Sequence, residues 1–358
     1  MQKATLAVFT KARAKYGKRL KVNSYHEMTA LSSVRDVAGY LKNKTYYSGV
    51  LQGVQDSAVH RGNLERLLRQ KIQSELCELC RFERVMGEGF FHYLVTKWEI
   101  EEIVNFLSYF SAGEPQEFLL TLSSSIDVLS DIDMVSLSSS VSYEDFIARL
   151  KGTPYAALLR PFAPESGRPE DIRLPDIEAA LKRYRYRSCR ESFEKTLPAE
   201  VHRELVWLLN MQFELMDIRT IIRSKSFGDW SVDIINSQLT GAKCMIPPDR
   251  MKEILLAPTA GASLDLFLQT PYSRYLKRPG ISNYRFVDDL CVRILYTAAS
   301  HKIHYSLYAP ILMFCLDICW DVELENVTTI IEGVRYNIHP ENIKKLLIFE
   351  RGGEQLGS

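Results

Sequence analysis

The residues that could do chemistry come in threes. Phe213-Glu-Leu-Met-Asp-Ile-Arg-Thr-Ile-Ile-Arg223 and Val322-Glu-Leu-Glu-Asn-Val-Thr-Thr-Ile-Ile-Glu-Gly333 match without a gap, and Trp98-Glu-Ile-Glu-Glu-Ile-Val-Asn-Phe-Leu107 is a weaker third copy. At helical period each copy places a carboxylate and a second polar group at the head of an apolar stripe. The leading pairs are Glu99 with Glu102, Glu214 with Asp217, and Glu323 with Asn326. A carboxylate on such a stripe enters a helix packing, where desolvating it without a partner is too costly. The chemistry this implies is a buried hydrogen-bonded anchor.

The donors recur with the same multiplicity. Thr45 and Tyr47, Thr153 and Tyr155, and Thr270 and Tyr272 each belong to a Thr-x-Tyr-x-x-x-Leu motif ending at Leu51, Leu159 and Leu276. The expectation is that each repeat ties its Glu helix to its own Thr-x-Tyr segment. Glu214 would meet Thr153 or Tyr155, and Glu323 would meet Thr270 or Tyr272. The competing expectation is a solvent-exposed acid at the edge of the stripe.

Other reactive patterns are thin. No Gly-x-x-x-x-Gly-Lys phosphate loop, dinucleotide fingerprint or Gly-x-Ser-x-Gly elbow occurs. Cys77-x-x-Cys80 lacks a second pair, so buried thiols one helical turn apart are expected rather than zinc ligands. His301 and His304 lack the Glu-x-x-His pattern of a di-iron site. On motif evidence the chain is not an enzyme by itself, and it carries no cofactor or metal residues.

The elements that position these groups read almost everywhere at helical period, which gives an all-α fold. Both motifs repeat at about 110 residues in the same order, which implies three homologous helical domains rather than a short-repeat solenoid. The partition is 1–140, an N-terminal basic helix plus the first repeat; 141–260, the second; and 261–358, the third with a short tail. Gly228 ends the Glu214 helix, and Ile246-Pro-Pro-Asp resembles Ile338-His-Pro-Glu as a shared helix start. The Ser-rich run from Ser123-Ser-Ser125 to Ser138-Ser-Ser140 reads as a linker, and Gly352–Ser358 as a frayed tail.

Composition sets the outer bounds. The 358 residues exceed the usual size of one domain, and a net charge of +1 supplies no overall pull toward nucleic acid or lipid. Seven cysteines without framework spacing suit a reducing cytosol. The opening Met-Gln-Lys-Ala-Thr has no signal core, and the apolar stretch Tyr308–Trp320 is too short to span a bilayer. Two basic runs stand out. Residues 3–21 hold seven cations, read as a solvated helix face or as a contact for an acidic partner or lipid. Lys182 to Arg190 is interleaved with Tyr184 and Tyr186, an arrangement that reads as a solvated face ahead of an RNA groove.

The threefold Thr-x-Tyr and Glu-x-x-Asn/Asp units, the Ala12-Arg-Ala-Lys15 run and the closing Glu323-Leu-Glu-Asn326 with His339-Pro-Glu-Asn-Ile343 resemble the C-type subunit of the A/V-type (vacuolar/archaeal-type) rotary ATPases, whose eukaryotic counterpart is the d-type one. The resemblance covers residues from about 8 to about 349. Tyr46 replaces the Pro of the other two copies, and Glu102 stands where Asn or Asp is expected. It implies a funnel of three helical domains with pseudo-threefold symmetry and no active site. It further implies a single copy on the cytoplasmic face of the membrane, between the central-stalk subunits and the proteolipid rotor ring, coupling rotation to proton or sodium transport. The alternative of another class is a free helical scaffold in the cytosol.

Overall fold

Caps and prolines mark where the helices begin. The computed structural model describes residues 2–53, 61–82, 87–122, 130–228, 230–276 and 287–349. The core of the expected linker, Ser123–Ser125, and the tail Gly352–Ser358 lie outside these. Among the described residues the structure is all-helical, with no strand. The first part holds α1 (Gln2–Lys18), α2 (Val22–Thr29), α3 (Val34–Lys44), α4 (Ser48–Leu51), α5 (Arg61–Phe82) and α6 (Gly87–Ser111). Then come α7 (Phe118–Thr121), α8 (Met134–Leu137), α9 (Tyr143–Arg149), α10 (Pro154–Leu159), α11 (Leu174–Thr196) and α12 (Ala199–Phe227). The last are α13 (Val232–Ser237), α14 (Pro248–Leu256), α15 (Ala260–Leu268), α16 (Val287–Tyr305), α17 (Ala309–Arg335) and α18 (Pro340–Leu346).

One local pattern precedes each Thr-x-Tyr segment. Ser33, Ser142 and Thr259 each accept, at the N-cap, a hydrogen bond from the backbone N–H three residues on, opening α3, α9 and α15. Such a cap is worth about 1 kcal/mol. Each of these helices runs into a Thr-x-Tyr segment. There the threonine hydroxyl donates back to a carbonyl at the end of the preceding helix: Thr45 to Leu41, Thr153 to the C-cap Leu150 and Thr270 to Phe267, at 2.6, 2.7 and 2.7 Å. The threonines therefore terminate helices instead of reaching the carboxylates.

The chain forms two compact units, 1–87 with 292–358, and 88–291. In the first, α17 packs against α1, α2, α3, α5 and α18. Most of α17 is buried, including Phe314, Leu316, Ile330 and Ile331. Each such side chain stabilises by about 1.5–3 kcal/mol when fully buried. In the second unit α12 packs against α11 and α15, and α14 packs against α15.

Several cations of the basic runs bind groups of the chain itself, while Lys18, Lys21 and Arg187 stay exposed as the solvated-face reading expects. Arg13 donates to the carbonyls of Ile303, His304 and Ser306, at the C-terminal end of α16. Cations suit that end of a helix. Lys15 pairs with Glu75 and Glu78. On α11, Arg183 donates to the Ser237 carbonyl, Arg190 pairs with Glu194, and Arg185 is buried over the Tyr93 and Phe213 rings. Cys77 and Cys80 are buried thiols outside any disulfide, with burial pushing Cys77 up to about 11. The described residues contain no group of His, Cys, Asp and Glu that could hold a metal.

Candidate functional site

The three Glu helices α6, α12 and α17 carry the repeated acids inward. Glu323 is 0 %, Glu214 1 % and Glu99 9 % exposed, so the stripe acids are not surface residues. All three meet a tyrosine of the repeated motif, but in every case the tyrosine of another repeat. Tyr155 donates to Glu99 at 2.7 Å, and Tyr272 donates to Glu214 at 2.7 Å. Tyr47 donates to Glu323 at 2.8 Å. The expected ties of Glu214 to Thr153 or Tyr155, and of Glu323 to Thr270 or Tyr272, are therefore displaced by one repeat. The last Glu returns to the first Tyr.

Each carboxylate has further donors. Ser130 donates to Glu99 at 2.6 Å. The backbone N–H groups of Cys244, Met245 and Ile246 converge on Glu214 at 2.8–3.3 Å. Leu20 N–H donates to Glu323 at 2.9 Å, the Arg19 guanidinium lies 3.4 Å away, and Tyr46 adds a second phenol at 2.6 Å. Tyr46 thus turns the sequence departure of the first repeat into an extra donor. Hydrogen bonds to a charged acceptor contribute about 1.5–3 kcal/mol each, which is how a buried carboxylate becomes tolerable.

Protonation follows from burial. The Glu99 carboxyl is held above its usual range, mainly by desolvation, with Ser130 and Tyr155 opposing. Tyr47, Tyr155 and Tyr272 are raised, first by burial and then by the carboxylate beside each. They remain neutral donors at any physiological pH.

The second polar position fastens the chain that follows α12 and α17. Asp217 accepts from Thr240 N–H and hydroxyl at 2.8 Å and from Gly241 N–H at 3.0 Å. Asn326 makes a two-bond clamp, donating to Ile348 O at 2.6 Å and accepting from Ile348 N–H at 2.8 Å. Glu102 is buried and accepts from Asn105 Nδ2 at 3.5 Å. These clamps put α18 at the place of α13, directly after the Glu helix. The resemblance of Ile338-His-Pro to Ile246-Pro-Pro is therefore a likeness of helix starts and not of position. The backbone donors at 244–246 and Leu20, and the Ser130 hydroxyl, are the partners that sequence reasoning missed.

Taken together, the fold and its anchors define an all-helical protein whose recurring geometry is a buried carboxylate met by donors of its own chain. The model of the ATP synthase (C/AC39) subunit family matches residues 8–346, and the chain belongs to that family, one of the components of the A/V-type rotary ATPases. No curated protein matches the chain.

Proposed function

We propose that the chain is the non-catalytic central-stalk component of its rotary ATPase, coupling the rotating stalk to the membrane rotor ring during proton or sodium transport. The observation that carries this reading is the order of the anchors. Glu99, Glu214 and Glu323 each fasten a long helix to the Tyr segment of another repeat, and the last of them joins α17 to residues 19–47. A part that passes torque must resist shear between its own repeats, and cross-repeat ties provide that resistance. The repeats are read as three homologous domains about a pseudo-threefold axis, with the funnel opening receiving the stalk foot. The protein acts as a single copy on the cytoplasmic face. Its described helices include none long and apolar enough to cross a membrane.

Co-purification from detergent-solubilised membranes tests the assignment. The chain should travel with the central-stalk subunits and the proteolipid ring at one copy per complex. Recovery free of both would instead favour the cytosolic scaffold.

A further inference from the structure

The unit formed by residues 88–291 carries a feature that the anchors do not use. A groove of about 550 Å³ opens between α11, α12 and the corner leading into α13. Arg219 and Arg223 line it together with the hydroxyls of Thr220 and Ser224, and Lys182 lines it paired with Glu178 at 3.6 Å. At the same corner Phe227 is 81 % and Trp230 40 % exposed, and Val232 and Ile234 continue the exposed apolar run along the chain. Large apolar side chains clustered beside arginines are the composition of binding hot spots rather than of inert surface.

Two details show that the groove is built. The Trp230 ring lies so close to Gly228 that a Cβ there would sit 2.6 Å from Cδ1 and 2.7 Å from Nε1. A side chain at 228 would displace the indole, so glycine leaves room for the ring to lie against the backbone at the groove edge. In addition, two arginines of the groove already meet a carboxylate, that of Asp288 on α16. Asp288 accepts from Arg219 Nε at 2.7 Å and lies 3.5 Å from Arg223 Nη1. Glu178 is matched by Lys182, Asp288 stands against two guanidiniums, and Arg223 is more than half exposed.

We propose that this groove docks an acidic peptide segment of a partner protein, with a carboxylate on Arg223 and an apolar side chain against Trp230 and Phe227. Arginine forks suit carboxylates. The proposal does not depend on the rotary assignment.

Anisotropy titration of the full chain with labelled, capped seven-residue peptides alternating Asp or Glu with Leu or Phe tests it. A matched set with Lys in place of the acids serves as control. Acidic members should bind, weaken with salt, and weaken about tenfold in Arg223→Gln and in Trp230→Ala, while the Lys set stays unbound. Unchanged melting curves would show that both variants fold. The proposal is overturned if no acidic peptide binds at millimolar concentration or if both variants bind like the parent. It is equally overturned if the Lys set binds as well, or if inorganic phosphate or phosphatidylserine vesicles take the groove in the peptide's stead.

Discussion

Glu323 and Tyr47 are 2.8 Å apart across 276 residues of sequence. Their bond makes residues 19–47 part of the packing of α17. It also supplies to the last Glu helix what Ser130 with Tyr155, and Cys244 to Ile246 with Tyr272, supply to the other two.

The anchors differ in how many donors depend on them, and stability should follow that order. Glu214→Ala strands three backbone N–H groups and a phenol, and should cost roughly 3 kcal/mol or more. Glu99→Ala strands two hydroxyls and should cost about 1–3 kcal/mol. Tyr47→Phe leaves Glu323 with Tyr46 and Leu20, and should cost about 1–2 kcal/mol. Glu332→Ala, at a partly exposed pair with Arg61, should stay within about 0.5 kcal/mol. Denaturant unfolding of the four variants measures the ranking; equal values for Glu214→Ala and Glu332→Ala would contradict it.

Deleting residues 2–21 removes Arg19, Leu20 and the Arg13 contacts at the end of α16. Amide exchange should accelerate along α17, while α11 and α12 keep their protection. Uniform loss of protection would show that the anchor has no local role.

Asp217 gives the stability a pH dependence of definite sign. Burial outweighs its hydrogen bonds and lifts its carboxyl to about 6 from an ordinary 3.8. Between these values the folded chain holds a proton that the unfolded chain has released. Stability from this group therefore falls as pH rises through that window, and the cost is fully present above pH 6. Comparing parent with Asp217→Asn across pH 4–7 isolates it: the difference in unfolding free energy should shift by roughly 3 kcal/mol in favour of the parent at the acid end. A pH-independent difference would show an unshifted carboxyl.

Gly333 lies against α18. A Cβ there would sit 2.5 Å from Ile343 Cδ1, so Gly333→Ala forces the buried Ile343 side chain to a new rotamer or shifts α18 against the Asn326 clamp. A loss of about 1–3 kcal/mol is expected, with Gly333→Ala/Ile343→Ala recovering part of it. Failure of the double variant to recover any would place the strain elsewhere.

The helical class, the Glu stripes and their burial with tyrosine partners were legible, because period and repetition are side-chain properties. Which tyrosine meets which Glu was not. Tyr155 precedes Glu214 by nearly as many residues as the 58 by which Tyr272 follows it, so spacing alone leaves the register of the repeats open. Thr45, Thr153 and Thr270 were legible as a motif but not as helix stops, since a hydroxyl that satisfies a local carbonyl looks the same in sequence as one that reaches across a core. The donors at 244–246 and Leu20 are backbone groups, and any residue type supplies those.

The unit of residues 88–291 is continuous, whereas its companion is assembled from 1–87 and 292–358. Synthesis therefore delivers the two in different ways. Leu20 leaves the ribosome 303 residues before its acceptor Glu323, a wait on the order of tens of seconds at ordinary elongation rates. During that interval the middle unit can fold, while the apolar faces of α1, α2 and α3 lack the α17 surface that covers them. The nascent N-terminal segment is thus the expected client of holding chaperones. Translation stalled shortly after residue 291 should yield a protease-resistant middle unit beside a cleavable N-terminal segment; the opposite pattern would reverse the order of assembly.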